Sequence, residues 1–379
     1  MTKSRILFIT PLPPPVHGSA MVSQYIKDSQ LVQGEFDCDF VNLSTSRRMD
    51  EIGKGGVKKL LRFIGAYFAV FFKLLFRRCD LCYLAITCHG MGFLKDAPFV
   101  LLCKLFRRKV VIHQHNKGMS GCVDKQPYSW LLPLIYRNTK VILLSWYLYS
   151  DIEKVVSREQ VLICPNGIPA LSEDVTPSAS LVSLKEGQCS THCASEKILR
   201  LLFLSNLIPS KGVYVLLDAC KMLRDRGLQF VCDFVGGETR EIDSSTFEAA
   251  VKARGLEDAV NYHGPKYGEE KEAYWQNADI FVQPTFEDCF PLTIVEAMQH
   301  GKPVVSTDEG AVPDLVKDGE NGFVCERKDS VSLAIALEKL ITNPELRLQM
   351  GERGYQRYKE EYTLEAFERK FIETMHKCL

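Results

Sequence analysis

At 379 residues, 46% hydrophobic and 25% charged, the chain is too long for one ordinary hydrophobic core, so two domains are expected. The same composition excludes a disordered, collagen-like or disulfide-scaffolded protein. A formal net charge of zero conceals two unequal halves: residues 1–165 carry 23 Lys and Arg against 12 Asp and Glu, and residues 166–379 carry 24 against 35. Such asymmetry points to an anionic partner for the first half, with nucleic acid and a membrane surface as the candidates.

In chain order, RILFIT at 5–10 reads as a buried strand, followed by a Pro/Gly loop and a helix carrying Met21, Val22, Tyr25 and Ile26. No long apolar h-region precedes it, so a cytoplasmic location is expected. Residues 54–78 combine Lys54, Lys58, Lys59, Arg62, Lys73, Arg77 and Arg78 with a dense aromatic and aliphatic body. This pattern predicts a basic amphipathic helix on an anionic membrane. The alternative is a helix that covers the sheet with basic ends, and part of the segment has to do that. No nucleic-acid recognition motif accompanies the charge, so no nucleic-acid partner is expected. The longest apolar stretch, 63–72, is ten residues and falls short of the roughly 20 that span a bilayer.

Further strands are predicted at 80–86, 109–114, 140–145 and 161–164. The stretch 171–197, poor in aromatics and rich in Ser, Thr and charge, reads as a linker or surface excursion. At 200–219 the opening pattern returns: strand, loop with proline, glycine, helix. Strands at 229–235, 259–263, 279–283 and 302–306 follow, alternating with helical segments. The expected fold is α/β, two Rossmann-like domains whose parallel sheets are covered on both faces. The domains are drawn at 1–170 and 198–360. Residues 361–379 form an amphipathic helix with Leu364, Phe367, Phe371 and Met375 on one stripe, packing back on the body. The 14 cysteines lie mostly in apolar runs and read as reduced. Cys79 with Cys82, and Cys189 with Cys193 beside His192, lack a second half at zinc-site spacing, so no metal is expected.

Open parallel sheets bind ligands beyond the carboxyl ends of their strands. The loops there hold His17 and Gly18, His89, His113, His115 and Asn116, Asn206, Gly236, His263, and the run 285–290. The segment 284–324 is the most specific. Asp288 and Glu296 stand eight positions apart, followed in order by Ala297-Met298, Gly301-Lys302-Pro303-Val304-Val305, Pro313-Asp314 and Asp318-Gly319-Glu320-Asn321-Gly322. Pro291 opens a helix whose unpaired N–H groups suit an anion, and Leu292 follows it. Glu296 sits in the second turn, where a carboxylate can accept from a diol. Lys211, in Pro209-Ser210-Lys211-Gly212, places a cation at a helix N-terminus, where the dipole disfavours one unless an anion binds.

This segment resembles the donor-binding segment of family 4 retaining glycosyltransferases, glycosyl transferases group 1, of the GT-B fold. The resemblance implies a nucleotide-diphosphate sugar, UDP- or GDP-linked, bound between two facing sheets, with no cofactor. In the family the two acids serve ribose and the transferred sugar, a role that falls here on Glu296 and Asp288. The lysine serves the diphosphate, the role of Lys211, and a histidine after a first-domain strand contacts the donor sugar, the role of His115. Gly18, Asn206, Gly236, His263, Cys289, Phe290, Pro291 and Leu292 complete the expected donor site. His17, His89, His113 and Asn116 fall on the acceptor side, facing a lipid-linked or glycan acceptor. The chain departs from the family twice: Asp288 stands for a Glu, and Asn206 for an Arg that partners the lysine. Asp37-Cys38-Asp39 matches the metal motif of the other major glycosyltransferase fold, but it lies in an alternating strand and reads as a solvated edge. No phosphate-binding Gly-x-x-x-x-Gly-Lys and no Gly-x-Gly-x-x-Gly is present, which argues against a nucleotidase or dehydrogenase. The rival readings are a sugar-nucleotide epimerase and an inactive donor-binding subunit.

Overall fold

The computed structural model describes residues 3–15, 18–45, 56–171 and 198–379. His17, Lys54, Cys189, His192 and Cys193 lie outside the described residues, as does nearly all of the predicted linker. The chain forms two compact units, residues 1–167 with 364–379, and residues 168–363. The boundary falls a few residues from the expected one, because the Ile168 N–H pairs with Tyr362 O at 3.0 Å and ties both ends of unit 2 together.

Unit 1 contains β1 (Arg5–Thr10), α1 (Gly18–Asp28), α2 (Gln30–Glu35), β2 (Asp37–Asn42), α3 (Val57–Phe76), β3 (Leu81–Leu84), α4 (Gly90–Leu105), β4 (Lys109–His113), α5 (Tyr128–Tyr136), β5 (Lys140–Leu143) and β6 (Val161–Ile163). Its sheet is parallel throughout, in the order β2-β1-β3-β4-β5-β6. The predicted strand 140–145 stops at Leu143, since the Ser145 hydroxyl accepts from Tyr147 N–H and starts a 3-10 turn at Trp146–Asp151.

The last helix of the chain, Leu364–Cys378, belongs to this unit: Phe367, Phe371 and Met375 join a core with Phe8 and Tyr83. The Phe371 ring stands edge-on to Tyr83, 5.5 Å between centroids. Phe371→Ala is expected to cost about 3–5 kcal/mol in chemical denaturation, because the vacated volume is enclosed on every side.

Unit 2 contains β7 (Leu199–Leu204), α6 (Val213–Asp225), β8 (Phe230–Val235), α7 (Ser244–Lys252), β9 (Val260–Tyr262), α8 (Gly268–Asn277), β10 (Ile280–Gln283), α9 (Leu292–Gln299), β11 (Val304–Thr307), α10 (Val312–Leu315), β12 (Gly322–Cys325), α11 (Ser330–Thr342) and α12 (Pro344–Arg357). Its parallel sheet runs β12-β11-β10-β7-β8-β9. β12 was not foreseen. It is four residues long and opens at Gly322 inside a turn signature, and that glycine is obligatory because a Cβ there would lie 2.0 Å from Val304 O.

β2 is an edge strand, as its alternation predicts. Its acids are engaged: Asp37 pairs with Arg5 Nε at 2.6 Å, and Asp39 with Lys73 and, at 3.5 Å, Arg77. Two cations of the predicted membrane segment therefore neutralise this strand, and Arg62 donates to Thr45 O at 2.8 Å. The apolar residues of α3 face largely outward. Only Val70 and Leu74 are buried, while Val57, Leu61, Ile64, Phe68, Phe72 and Leu75 are exposed. That spacing puts the six on one stripe. Among the described residues, no helix is long and apolar enough to cross a membrane.

Candidate active site

In unit 2 the chain enters on β7, lays β8 and β9 to one side, then crosses to β10 and proceeds to β12 on the other. The loops after β7 and β10 consequently diverge at a topological switch point, where open α/β sheets form their crevice. The two loops are stitched together there. Phe286 N–H donates to Ser210 O at 2.8 Å, and the Thr285 hydroxyl donates to the same oxygen at 3.2 Å. Gly212, at φ 87°, lies so close that a Cβ would sit 2.1 Å from Pro284 O.

This close approach delivers Lys211, from the 3-10 turn Pro209–Lys211, to Asp288. Its ammonium donates to Asp288 Oδ2 at 2.6 Å and to Glu287 O at 3.0 Å. The pair is only partly exposed, 21% and 15% for the two side chains. Asp288 is fixed further by the Cys289 N–H on its Oδ1, at 2.8 Å, and by its own N–H on Glu309 Oε1, at 3.1 Å. Glu309 is buried, and its other oxygen accepts from Arg327 at 2.9 Å. Sequence reasoning missed Glu309; the signal available was an acid immediately before Gly310, itself at φ 55° against Asp288 O.

Pro291 caps α9 and Leu292 is its first residue. Cys289 and Phe290 are buried, so this loop presents mainly backbone and the helix start. The first-turn N–H groups of a helix lack intrahelical acceptors, which leaves them suited to an anion. In the second turn, Glu296 Oε1 accepts from Lys271 Nζ of α8 at 2.9 Å. Its Oε2 is buried with no hydrogen-bond partner. A carboxylate oxygen held in this way lacks a donor, and a ligand hydroxyl would supply one. Lys271 was also missed, because nothing local marks a lysine 25 residues from its acid.

Other expected donor residues have structural duties. A Cβ on Gly236 would lie 1.9 Å from Ser205 O. The Asn206 amide oxygen accepts the Gly237 N–H at 2.9 Å, so in place of an arginine this position carries a loop fastener. His263 Nε2 lies 2.7 Å from Asp233 Oδ1, and Asp233 also receives Arg200 at 2.7 Å.

In unit 1 the switch point lies between β1 and β3. His115 and Asn116 line a cavity there together with Pro11, Pro15 and Ser19. Asn116 also accepts the Cys88 N–H at 3.0 Å. His113 needs correction as an acceptor-side residue. It is the last residue of β4 and fully buried, with Nδ1 2.7 Å from the Tyr83 hydroxyl, and burial holds its pKa well below the ordinary histidine value. It belongs to the core. His89 is the exposed residue before α4, packed on Gly118, and Gly18 begins α1.

Residues 193–357 match the family model described as Glycosyl transferases group 1. Amylovoran biosynthesis glycosyltransferase AmsK of Erwinia amylovora is 32% identical over 160 residues, 41% of this chain and 37% of AmsK. The match thus spans little more than a third of that relative. Over nearly the whole chain the fold is similar to that of sucrose-phosphate synthase from Thermosynechococcus elongatus, with TM-score 0.73, 16% identity and 99% coverage of each chain. Anabaena HepE in complex with UDP-glucose aligns at TM-score 0.70 and 18% identity, covering 98% of this chain and 99% of HepE. The chain therefore has the GT-B fold, two six-stranded parallel Rossmann-like units, and its residues 193–357 match the glycosyl transferases group 1 model.

Proposed function

We propose that the chain is a retaining, metal-independent glycosyltransferase that moves a sugar from a nucleotide-diphosphate donor to a hydroxyl of a lipid-linked glycan in cell-surface polysaccharide synthesis. The observation that carries this reading is the meeting of Lys211 with Asp288 at the switch point, with Glu296, whose Oε2 has no hydrogen-bond partner, in the second turn of the helix that follows. Glu296 Oε2 accepts from the donor ribose, Asp288 takes a hydroxyl of the transferred sugar, and Lys211 with the first turn of α9 holds the diphosphate. The UDP-glucose complex of HepE supports a donor of this class, and the role of AmsK in amylovoran biosynthesis supports the pathway class.

In the reaction, the bond from the anomeric carbon to the diphosphate oxygen breaks while the acceptor oxygen bonds to the same face of that carbon. The acceptor proton passes to the departing diphosphate, whose developing charge Lys211 and the helix N–H groups stabilise. Incubation with membranes and labelled UDP- and GDP-sugars tests the reading. Transfer to lipid supports it; conversion of the donor sugar alone identifies an epimerase; retained nucleotide binding without turnover identifies a donor-binding subunit.

The acceptor class implies work on the inner face of the plasma membrane, and the outward apolar stripe of α3 with its flanking cations suits that surface. The chain is expected to float with phosphatidylglycerol vesicles. Phe68→Asp with Phe72→Asp is expected to lower that binding at least about tenfold, since each ring contributes on the order of 1.5–3 kcal/mol on burial. Unchanged flotation, or a stable dimer that the substitutions dissociate, would reassign the stripe.

A further inference from the structure

α8 is a polar helix, GEEKEAYWQN, and of these residues only Trp275 is buried. Its apolar face is too small to fix its place on the body, so charged groups have to specify it. Lys271 reaches Glu296 Oε1 at 2.9 Å. The next residue, Glu272, reaches His300, which ends α9 one turn beyond Glu296. His300 is buried. Its backbone N–H and its Nδ1 both meet Glu296 O, at 3.1 and 2.7 Å. Its Nε2 lies 2.9 and 3.1 Å from the two oxygens of Glu272. A carbonyl and a carboxylate accept only, so the ring donates from both nitrogens and bridges α9 to α8. The Trp275 ring lies nearly parallel to the imidazole, at 14° and 5.2 Å between centroids, and packs it in place. Glu296 and His300 share one face of α9, acid then base, while Lys271 and Glu272 stand base then acid on α8. Exchanging partners would set Lys271 against the imidazole and Glu272 against Glu296, so the two pairs admit one register of α8 on α9. Lys271 cannot set that register unaided, because its pair with Glu296 is open to solvent, 30% and 21% for the two side chains.

We infer that His300 is a positioning residue for the ribose acid. Through Glu272 it fixes α8, and α8 presents Lys271 to Glu296 Oε1. That bond holds the carboxylate with Oε2, which has no hydrogen-bond partner, left for a ribose hydroxyl. The role rests on the reading of Glu296 given above; the bridge between the two helices does not.

UDP and GDP are titrated calorimetrically into the full chain, and the tighter of the two is compared with its 2′,3′-dideoxy form. Glu272→Ala falls on a partly exposed side chain and is expected to weaken the ribonucleotide about 3- to 10-fold while leaving the dideoxy form unchanged. Glu272→Gln is expected to restore the affinity, because its amide can donate to Nε2 while the Nδ1–H still serves Glu296 O. His300→Asn keeps a donor for Glu296 O and removes the reach to Glu272. It is expected to reproduce the loss in Glu272→Ala, and it carries the test should that variant fail to fold. Added to Lys271→Met, Glu272→Ala is expected to cost less than about twofold more, since both act on the same oxygen. Equal loss of the two nucleotides, no loss of either, no recovery in Glu272→Gln, or full additivity with Lys271→Met would overturn the positioning role. Glu296→Ala, measured in parallel, tells two failures apart. If it abolishes the preference for intact ribose and Glu272→Ala does not touch that preference, the bridge has no positioning role and the ribose acid stands. If it leaves the preference in place, the ribose reading fails and the role of His300 fails with it. Binding of neither UDP nor GDP by the wild type overturns the donor site itself.

Discussion

Lys211→Ala is expected to lower kcat/KM for the nucleotide sugar by about 10²–10³-fold, the size of effect seen when one donor to a developing oxyanion is removed. Two contributions add. The cation that balances the leaving diphosphate is lost, and Asp288, now deprived of the ammonium 2.6 Å away, is left as an uncompensated negative charge beside an anionic substrate. If diphosphate charge grows on bond breaking, the loss falls mainly on kcat. Lys211→Arg retains charge but not the compact ammonium that fits between Asp288 and Glu287 O, so it should recover part of the rate. Asp288→Asn separates the roles of the pair. It frees Lys211 and removes one acceptor for a sugar hydroxyl, and the penalty should depend on the sugar more than on the nucleotide. Turnover by Lys211→Ala at the wild-type rate would place the chemistry elsewhere.

Glu296→Ala is expected to raise KM for the donor by about 10- to 100-fold with a much smaller change in kcat. A hydrogen bond to a charged acceptor contributes on the order of 1.5–3 kcal/mol, and ribose is bound equally in the ground and transition states. The expectation is specific to the ribose: a donor with a deoxygenated ribose should bind wild type and Glu296→Ala almost alike, whereas the intact donor should not. Lys271→Met removes the counter-ion of Oε1 at 2.9 Å and should give a smaller rise in KM. Both side chains of that pair are partly exposed, so solvent screens it. Equal loss of deoxy and intact donors in Glu296→Ala would show that the acid supports the helix and touches no ribose.

Much of the architecture was legible because it is local. Apolar runs of strand length, Pro and Gly loops and helical periodicity recur at 5–26 and again at 200–219, and they mark two parallel-sheet units without any knowledge of contacts. The acid pair on one loop and helix, and the lysine on a second loop, were readable for the same reason. β12 was hidden because its first residue is a glycine demanded by a neighbouring strand, and a glycine in sequence reads as a turn.

The sequence by itself determined the local setting of the three proposed donor residues: Lys211 on one loop, Asp288 and Glu296 on another loop and its helix. Only the tertiary structure decided that Lys211 and Asp288, 77 positions apart, form an ion pair, and that Lys271 and Glu309 hold the two acids in place. It also spent Asn206 on a loop and His113 on the core. The amphipathic period of α3 was visible along the chain, but which of its faces turns outward was set by β2, whose Asp39 draws Lys73 inward. The physical reason is the same throughout. Hydrophobic period and turn chemistry act over a few residues, whereas charge pairing and burial depend on what the fold brings alongside.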